Sequence, residues 1–359
     1  MSDKYYELFV FKGTHREVGR QNGEARRAQI RQHLDLTYDL AQRVSNISKE
    51  KALETAVLFK PYINQYAPGF LEEIEGLGEG AGISEEEALL LQVRQEVVHL
   101  AQFGSGFECT SYAVGAPYTK DGKVYSGQNA DLAGDFESIS AVIRYEVEGK
   151  PRIMMVAPAG QISYIGMNDR GVGANCNFLS CDGWKRGYPR YLISRLLLEQ
   201  PDFDAACNTM VKLSERASSR NVLLSDRSGN IADFETTADD YSKIYAEGLF
   251  VHSNHFVDPE MQRYERATQE DLIDSCWRRD RLNTLLENNK GEITPDLLKK
   301  FLGDDLRDPE TGKFSICTHA CGEAPAYHTF ASTINHLADG VMEVSKGNPC
   351  SNPFKEYSL

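Results

Sequence analysis

The sequence changes character at the segment Glu108-Cys109-Thr110-Ser111-Tyr112-Ala113-Val114. On its N-terminal side, apolar side chains recur at helical spacing, and Ser84-Glu85-Glu86-Glu87 has the form of a capping box, which typically starts a helix. On its C-terminal side, apolar and charged residues alternate, as in Ile143-Arg144-Tyr145-Glu146-Val147, which is typical of a half-buried strand. We therefore predict an α+β fold: a leader that is helical over residues 15–100 precedes a strand-rich region that starts near residue 105, and helices cover the sheets.

The composition excludes several classes of protein. The chain has 359 residues, of which 41% are hydrophobic, and its formal net charge is −14. An acidic chain without a basic run is unsuited to nucleic acid or to an anionic membrane surface. No apolar stretch approaches the roughly 20 residues that span a bilayer, and the N-terminus lacks the pattern of a signal peptide. With eight cysteines in such a chain, we expect reduced thiols and a cytoplasmic location.

Familiar motifs of cofactor and metal chemistry are missing from the sequence. It contains no phosphate loop, no dinucleotide-binding glycine pattern, no His-Glu-x-x-His and no Gly-x-Ser-x-Gly. The cluster Cys317-Thr318-His319-Ala320-Cys321 could bind a metal ion, but it supplies three donors at most and has no Cys-x-x-Cys partner elsewhere. Buried thiols that pack as small apolar groups are the alternative. We therefore expect neither a metal nor a cofactor.

A cysteine and an aspartate are candidates for catalysis. Cys109 opens one predicted strand, and Asp131 ends the next one, in the run Gly127-Gln128-Asn129-Ala130-Asp131. In an antiparallel pair the two residues can lie side by side. A carboxylate there could orient and stabilise an ammonium or an imidazolium group. The spacing is equally compatible with a buried structural cysteine and an aspartate in a turn.

At this point the sequence resembles a known family. Its motifs look like those of N-terminal-nucleophile hydrolases of the acyl-coenzyme A:6-aminopenicillanic acid acyltransferase type, with penicillin V acylase and bile salt hydrolase as more distant relatives. The resemblance covers nearly the whole chain. Each motif is short, but six of them occur in order: Glu17-Val18-Gly19-Arg20-Gln21-Asn22-Gly23-Glu24, Cys109-Thr110-Ser111-Tyr112, the run ending at Asp131, Gly166-Met167-Asn168-Asp169-Arg170-Gly171-Val172, Ser253-Asn254-His255-Phe256, and Ser315-Ile316-Cys317-Thr318-His319 with Gly347-Asn348-Pro349-Cys350.

The resemblance implies a self-cleaving precursor with the αββα sandwich of N-terminal-nucleophile hydrolases. Cleavage between Glu108 and Cys109 would give two chains, 1–108 and 109–359, that stay associated. The freed α-amino group of Cys109 has a reference pKa of about 7.7–8.0, which suits a general base near neutral pH. One residue would then supply both the nucleophile and the base, without a histidine partner.

The resemblance also implies roles for other residues. Asp131 would orient the amine of Cys109, and the side-chain NH₂ of Asn254 would face the developing oxyanion. A backbone N–H near Asn177-Phe178 would be the second oxyanion donor. Without the family argument, Asn254 is equally readable as an Asx-turn residue and Asn177 as the end of a strand.

The resemblance indicates the substrate-binding residues less directly than the catalytic ones. Asn129, Phe178, Tyr164 and Thr318 are the expected substrate-binding residues, with core packing as the alternative for the aromatic ones. Further aromatic residues, Phe103, Phe107 and Trp184, are candidates for the wall of an apolar acyl pocket.

The chain departs from the family pattern at two positions. Thr318 stands where relatives carry an arginine, so either another arginine substitutes for it or activation of the cysteine differs. Glu108 stands before the nucleophile where glycine is familiar in the fungal acyltransferase, which bears on the rate of self-cleavage.

The function that the resemblance implies is hydrolysis or transfer of the acyl group of a small N-acyl amide, through an S-acyl intermediate on Cys109. The expected partners are this small-molecule acyl donor and the two associated chains. Two alternatives stay open at this stage. One is an acyl-coenzyme A-dependent N-acyltransferase on the same fold, and the other is an uncleaved, non-catalytic protein that binds a small acylated ligand.

Overall fold

Two β-sheets lie face to face in the centre of the molecule, and helices cover the outer face of each. The computed structural model describes residues 4–99, 109–133, 135–312, 314–320 and 327–359. The predicted α+β class and its αββα sandwich are confirmed.

The strands in chain order are β1 (Leu8–Gly13), β2 (Cys109–Val114), β3 (Tyr125–Ala133), β4 (Ser140–Val147), β5 (Ile153–Pro158), β6 (Ile165–Asn168), β7 (Val172–Asn177), β8 (Arg220–Asp226), β9 (Asn230–Thr236), β10 (Tyr241–Glu247), β11 (Leu249–His252), β12 (Tyr327–His336), β13 (Val341–Lys346) and β14 (Phe354–Ser358). The helices are α1 (His15–Ala25), α2 (Arg27–Ser45), α3 (Lys49–Val57), α4 (Lys60–Tyr66), α5 (Pro68–Ala81), α6 (Glu85–His99), α7 (Asp135–Ile139), α8 (Arg190–Leu198), α9 (Phe203–Lys212), α10 (Gln269–Glu287) and α11 (Pro295–Leu302).

The order of the strands places β2 and β3 in the middle of the molecule. The first sheet runs β1-β4-β5-β6-β7-β8-β9-β10, and the second runs β11-β2-β3-β12-β13-β14. The strands of the second sheet are all antiparallel, and β2 and β3 face β7 and β8 of the first sheet. Helices α8 and α9 cover the first sheet, while α10 and α11 cover the second. Cys109 therefore begins a buried strand that is enclosed between two layers.

The predicted helical leader is confirmed, and one strand comes before its helices. Helices α1 to α6 fill most of it, but β1 comes before them and pairs in parallel with β4. The run Leu8-Phe9-Val10-Phe11 is rich in aromatic and apolar residues, which suit a strand, and Phe11 is buried. Residues on the two sides of Cys109 thus share one sheet.

Within the described residues, no helix combines the length and the apolar character that crossing a bilayer requires.

Candidate active site

Cys109 lies where three distant segments of the chain meet. It is buried and pairs with Ala130 of β3. Its backbone N–H donates to Asn254 Oδ1 at 2.8 Å, and its carbonyl oxygen accepts from Nη1 of Arg278 at 2.7 Å. Asn254 follows β11, and Arg278 lies on α10. We name these residues, together with Asp131, the Cys109 cluster.

The environment keeps the thiol of Cys109 protonated near neutral pH. Burial, and then the nearby carboxylate of Asp131, raise the pKa of the thiol to about 12. The backbone N–H of Asp131 and the positive charges of Arg278 and Arg220 act in the opposite direction without cancelling this rise. Because the thiolate is the nucleophile, this cysteine needs a base that removes its proton.

Asp131 is a carboxylate with an oxygen available for a new donor. Its side chain is fully buried, Oδ2 accepts from Thr318 Oγ1 at 3.0 Å, and Oδ1 has no hydrogen-bond partner among the described residues. Burial raises the pKa of Asp131 to about 7, against the charge of Arg278 and hydrogen bonds from threonine hydroxyls. Since Ala130 pairs with Cys109, Asp131 lies one residue beyond the start of β2, on the side of the Cys109 nitrogen.

Arg278 is the arginine that reaches this site, and the sequence analysis missed it. It is fully buried, forms an ion pair with Asp274 at 2.6 Å, and donates to Thr110 Oγ1 at 2.9 Å and to Asn254 Oδ1 at 3.0 Å. A signal was present in the sequence, because Asp274 and Arg278 continue at four-residue spacing the buried stripe of Leu282 and Leu286. Two charged residues on the buried face of a helix indicate a polar partner inside the protein.

Thr318 occupies the position where an arginine was expected, and its contact is with Asp131 rather than with Cys109. Of the two possibilities raised by the sequence, the structure therefore favours the first: another arginine, Arg278, supplies the positive charge next to Cys109.

Asn254 holds the Cys109 nitrogen through its oxygen, whereas its nitrogen, Nδ2, donates to the carbonyl of Phe178 at 3.0 Å. Its backbone N–H donates to Ser275 Oγ at 2.7 Å, which fixes the loop against α10. The predicted oxyanion donor is therefore adjacent to Cys109, and one side-chain hydrogen bond of its NH₂ goes to the protein itself.

Asn177 lies in a second polar cluster on the same face of β2. Its Nδ2 donates to Ser111 Oγ at 2.7 Å and to Asn221 Oδ1 at 2.9 Å. Ser111 is two residues beyond Cys109, so these bonds connect Asn177 to β2 but not to the thiol.

Asn221 connects Asn177 to a group of three buried titratable residues. Its Nδ2 donates to Asp233 Oδ1 at 2.6 Å, and His252 Nε2 lies 2.8 Å from Glu235 Oε1. Burial raises the pKa of Asp233 to about 7. Burial lowers the pKa of His252, but the two carboxylates outweigh it and the net shift is upward. We name Asn177, Asn221, Asp233, Glu235 and His252 the His252 cluster.

The expected substrate-binding residues separate into two groups. Tyr164 is buried near Cys109, and burial followed by the charge of the thiol holds the pKa of Tyr164 well above its usual range. The ring of Phe178 meets Trp184 edge-on at 6.1 Å, close to Asn254. Asn129, in contrast, lies on the opposite face of β3 from Ala130 and donates to two backbone carbonyls, at 2.8 and 2.9 Å. Asn129 is thus a structural residue, which corrects the prediction.

A second arginine, Arg220, was also missed. It opens β8, is buried, and its charge acts on the thiol of Cys109. Four of the residues named from sequence lie outside the described residues: Phe103, Phe107, Glu108 and Cys321.

Comparison with known proteins gives the family. Residues 118–350 match the model of the family described as acyl-coenzyme A:6-aminopenicillanic acid acyl-transferase. The chain belongs to this family. It is also 26% identical over 358 residues to the acyl-coenzyme A:6-aminopenicillanic-acid-acyltransferase 40 kDa form of Emericella nidulans, a match that covers 97% of this chain and 94% of that protein.

Among solved structures, the acyltransferase-family chain is similar to a variant of conjugated bile acid hydrolase from Clostridium perfringens. That match has a TM-score of 0.49 and 14% identity, and it covers 70% of this chain and 97% of the other. Penicillin V acylase from Agrobacterium tumefaciens matches with a TM-score of 0.46 and 10% identity, over 70% of this chain and 86% of the other. The matched family region contains Asp131, Asn254 and Arg278 but starts after Cys109.

Proposed function

We propose that this chain cleaves itself between Glu108 and Cys109 and then uses Cys109 to take the acyl group from a small N-acyl amide. The acyl group would pass from the sulfur to water or to an amine. The observation that carries the proposal is the position of Cys109: its nitrogen begins β2, is held by Asn254, and lies next to the carboxylate of Asp131.

In the cleavage step, the thiol of Cys109 adds to the carbonyl carbon of Glu108. The bond from this carbon to the Cys109 nitrogen breaks, the nitrogen takes up a proton, and water hydrolyses the resulting thioester. A base must first accept the proton of the thiol. Asp131, whose pKa burial raises to about 7, has a strength that suits this exchange near neutral pH.

After cleavage, the same nitrogen is a free amine. Two acceptors can bind its N–H groups: Oδ1 of Asn254, at 2.8 Å from the nitrogen, and Oδ1 of Asp131, which has no hydrogen-bond partner in the part of the chain that the structure describes. The amine, with a reference pKa of about 7.7–8.0, takes the thiol proton during attack and gives it to the departing amine of the substrate. Arg278 holds this arrangement through the carbonyl oxygen of Cys109 and through Asn254.

Charge that develops on the substrate oxygen needs preorganised donors. Asn254 Nδ2 is next to the nucleophile and carries two hydrogens, of which one is used by Phe178. The proposed second donor is a backbone N–H near Asn177-Phe178. Loss of one such donor typically lowers kcat by about 10²–10³-fold, and we expect a loss of this order for Asn254→Ala.

The two chains have extensive means to stay together after cleavage. β1 remains paired with β4, Tyr6 Oη donates to the carbonyl of Phe330 at 2.6 Å, and Arg195 forms a fully buried ion pair with Glu73 at 2.9 Å. Each contact joins a residue before Cys109 to one after it, so cleavage of a single bond leaves the core intact.

The family description favours a second acceptor for the same acyl-enzyme. Its name, like that of the Emericella nidulans relative, refers to acyl-coenzyme A and to an aminopenicillanic acid acceptor. Transfer from an acyl thioester to an amine uses the same S-acyl intermediate on Cys109, with the thiol of coenzyme A as the leaving group. Hydrolysis and transfer then differ only in the acceptor.

The test combines mass spectrometry with turnover. Wild-type protein should give two fragments, the second starting at Cys109, whereas Cys109→Ala should stay a single 40.2 kDa chain and turn over nothing. Cys207→Ser, at a buried cysteine of α9, is the matched control and should be cleaved like wild type. Assays with N-acyl amides, and with an acyl-coenzyme A plus an amine, separate hydrolysis from transfer.

Two results would overturn the proposal. One is cleavage or turnover by Cys109→Ala at the wild-type rate. The other is a wild-type protein that stays intact on ageing and converts no acyl donor, which is the result expected of an uncleaved protein that only binds an acylated ligand.

A further inference from the structure

A group of metal-ligating side chains lies outside the Cys109 cluster. Cys317 and His319 precede β12, and Cys350 lies in the turn between β13 and β14. Their ligand atoms, two sulfurs and one imidazole nitrogen, all lie within 4.8 Å of one another. The sequence analysis expected no metal because it saw only one short cluster. The fold brings a further cysteine to it from 31 residues beyond His319.

The separation of Cys350 Sγ and His319 Nε2 suits a tetrahedral zinc site. With Zn–S bonds of about 2.3 Å and Zn–N bonds of about 2.0–2.1 Å, a tetrahedral angle places sulfur and nitrogen about 3.5 Å apart. The observed distance from Cys350 Sγ to His319 Nε2 is 3.4 Å. The ligand types, two thiols and an imidazole, are those that Zn²⁺ prefers among divalent cations.

A neighbouring side chain supports a thiolate at this place. Asn348 Nδ2 lies 3.3 Å from Cys317 Sγ, to which it donates, and 2.6 Å from the carbonyl oxygen of Thr318. Hydrogen bonds of this kind to a ligand atom orient it and stabilise its charge in metal sites. The same asparagine therefore fixes both the sulfur and the backbone between Cys317 and His319.

We propose that Cys317, His319 and Cys350 bind one Zn²⁺ ion. The two thiols lose their protons to solvent when the ion binds, so that the site of one dication and two thiolates is neutral. A water molecule or another donor would complete the four-coordinate shell.

The position of the site suggests what the metal does for the fold. The ion would tie the segment before β12 to the turn after β13, and Thr318 lies between two of its ligands. Thr318 Oγ1 donates to Asp131 Oδ2 at 3.0 Å, and its backbone N–H donates to Thr329 Oγ1 at 3.0 Å. The metal would thus hold the residue that contacts the carboxylate next to Cys109. The metal site itself does not depend on the proposed function.

The experiment measures bound metal on the full-length protein. Reduced protein is incubated with ZnSO₄, dialysed against metal-free buffer with a non-thiol reductant, and analysed for zinc per chain by mass spectrometry. We expect one zinc per wild-type chain and at least a tenfold loss of bound zinc in Cys350→Ser and in His319→Gln. Cys350 is exposed and His319 is half-buried, so both variants should fold.

A matched control uses another cysteine–histidine pair of the same molecule. Cys276 Sγ lies 3.7 Å from His255 Nε2, and the two belong to no three-ligand group among the described residues. Cys276→Ser should therefore keep one zinc per chain. As a second readout, Co²⁺ should give thiolate-to-metal charge-transfer absorption in wild type and in Cys276→Ser, but not in Cys350→Ser.

Three outcomes would overturn the proposal. The first is a reduced wild-type protein that retains no zinc, and the second is equal zinc content in Cys350→Ser and wild type. The third is a disulfide between Cys317 and Cys350 in peptides of protein kept under reducing conditions, because this would show that the two sulfurs pair with each other instead of binding an ion.

Discussion

The Cys109 cluster contains the first residue of β2 and the His252 cluster lies beside Ser111 of the same strand, and these two buried polar groups are bonded differently. Both contain an aspartate whose pKa burial raises to about 7. In the His252 cluster the imidazole lies between two carboxylates, 2.8 Å from Glu235 and 3.9 Å from Asp233. Glu235 also accepts backbone N–H groups of Val257 and Asp258, at 2.6 and 3.1 Å.

In the Cys109 cluster, the guanidinium group of Arg278 has several partners. Arg278 is paired with Asp274 and donates also to Asn254 and to the carbonyl of Cys109, while one oxygen of Asp131 has no donor among the residues that the structure describes. The comparison teaches that burial and a raised pKa alone do not mark a reactive site. Asp131 and Asp233 each have one carboxylate oxygen without a hydrogen-bond partner among the described residues, so the two clusters differ in what lies beside the carboxylate: a thiol beside Asp131 and a histidine beside Asp233. We therefore predict proton exchange at Asp131 and a contribution to stability from the His252 cluster.

The largest expected effect that tests the difference between the two clusters is a loss of stability when Arg278 is replaced. Arg278→Met leaves Asp274 buried without a partner, which typically costs about 3–5 kcal/mol in the free energy of unfolding. Urea unfolding in a Cys109→Ala background, where every variant stays uncleaved, measures this loss.

The double variant Asp274→Leu/Arg278→Met separates stability from chemistry. Replacing both charges by apolar groups should restore most of the free energy of unfolding. With Cys109 present, the double variant should still cleave slowly, because the carbonyl of Cys109 and Asn254 have lost their donor. Cleavage at the wild-type rate would show that Arg278 serves the fold alone.

A smaller effect is expected in the other cluster. His252→Gln removes the positive charge between two carboxylates, and we expect a loss of about 1–3 kcal/mol in the free energy of unfolding. The pKa of His252 is raised in the folded chain, so its contribution is complete below the ordinary histidine pKa of about 6.5 and is lost as pH rises through the raised value.

The pH dependence and the rate together define this second test. Urea unfolding should show a larger difference between wild type and His252→Gln at pH 6 than at pH 9. The folded variant should cleave itself at the wild-type rate. A slow, fully folded His252→Gln would place the His252 cluster in the chemistry and remove the distinction between the two clusters.

Local patterns in the sequence were sufficient for part of this structure. The capping box at Ser84 precedes α6 as predicted, and the strand that begins at Cys109 is β2. Both depend on residues close together in the chain. Local pattern alone is not sufficient between β10 and β11, which are separated by one residue and belong to different sheets. Gly248, at a φ of +74°, turns the chain between them, and periodicity does not detect a change of sheet.

The residues of the site also divide into those that local motifs identify and those that only tertiary packing brings close. Family motifs named Cys109, Asp131 and Asn254, and the structure places them together, while their catalytic roles stay predictions. Arg278 was missed, and Cys350 was named in a motif but not as a neighbour of His319, because each meets its partners across a long gap in the sequence. Contacts of this kind are set by tertiary packing, which no local period records.

The smallest expected effect isolates Asp131. Its pKa is raised from an ordinary value of 3.8 to about 7, so between these values the folded chain holds a proton that the unfolded chain releases. Stability therefore falls as pH rises through this window, and the cost of the buried carboxylate is complete above pH 7. In a Cys109→Ala background, Asp131→Asn removes that cost. The double variant should be more stable at pH 8 by on the order of 1 kcal/mol, about 2–4 °C in the unfolding midpoint, and this advantage should shrink toward pH 5. Thermal unfolding across this range checks the sign, and an advantage that grows toward acid pH would mean that the folded chain lowers the pKa of Asp131 instead of raising it.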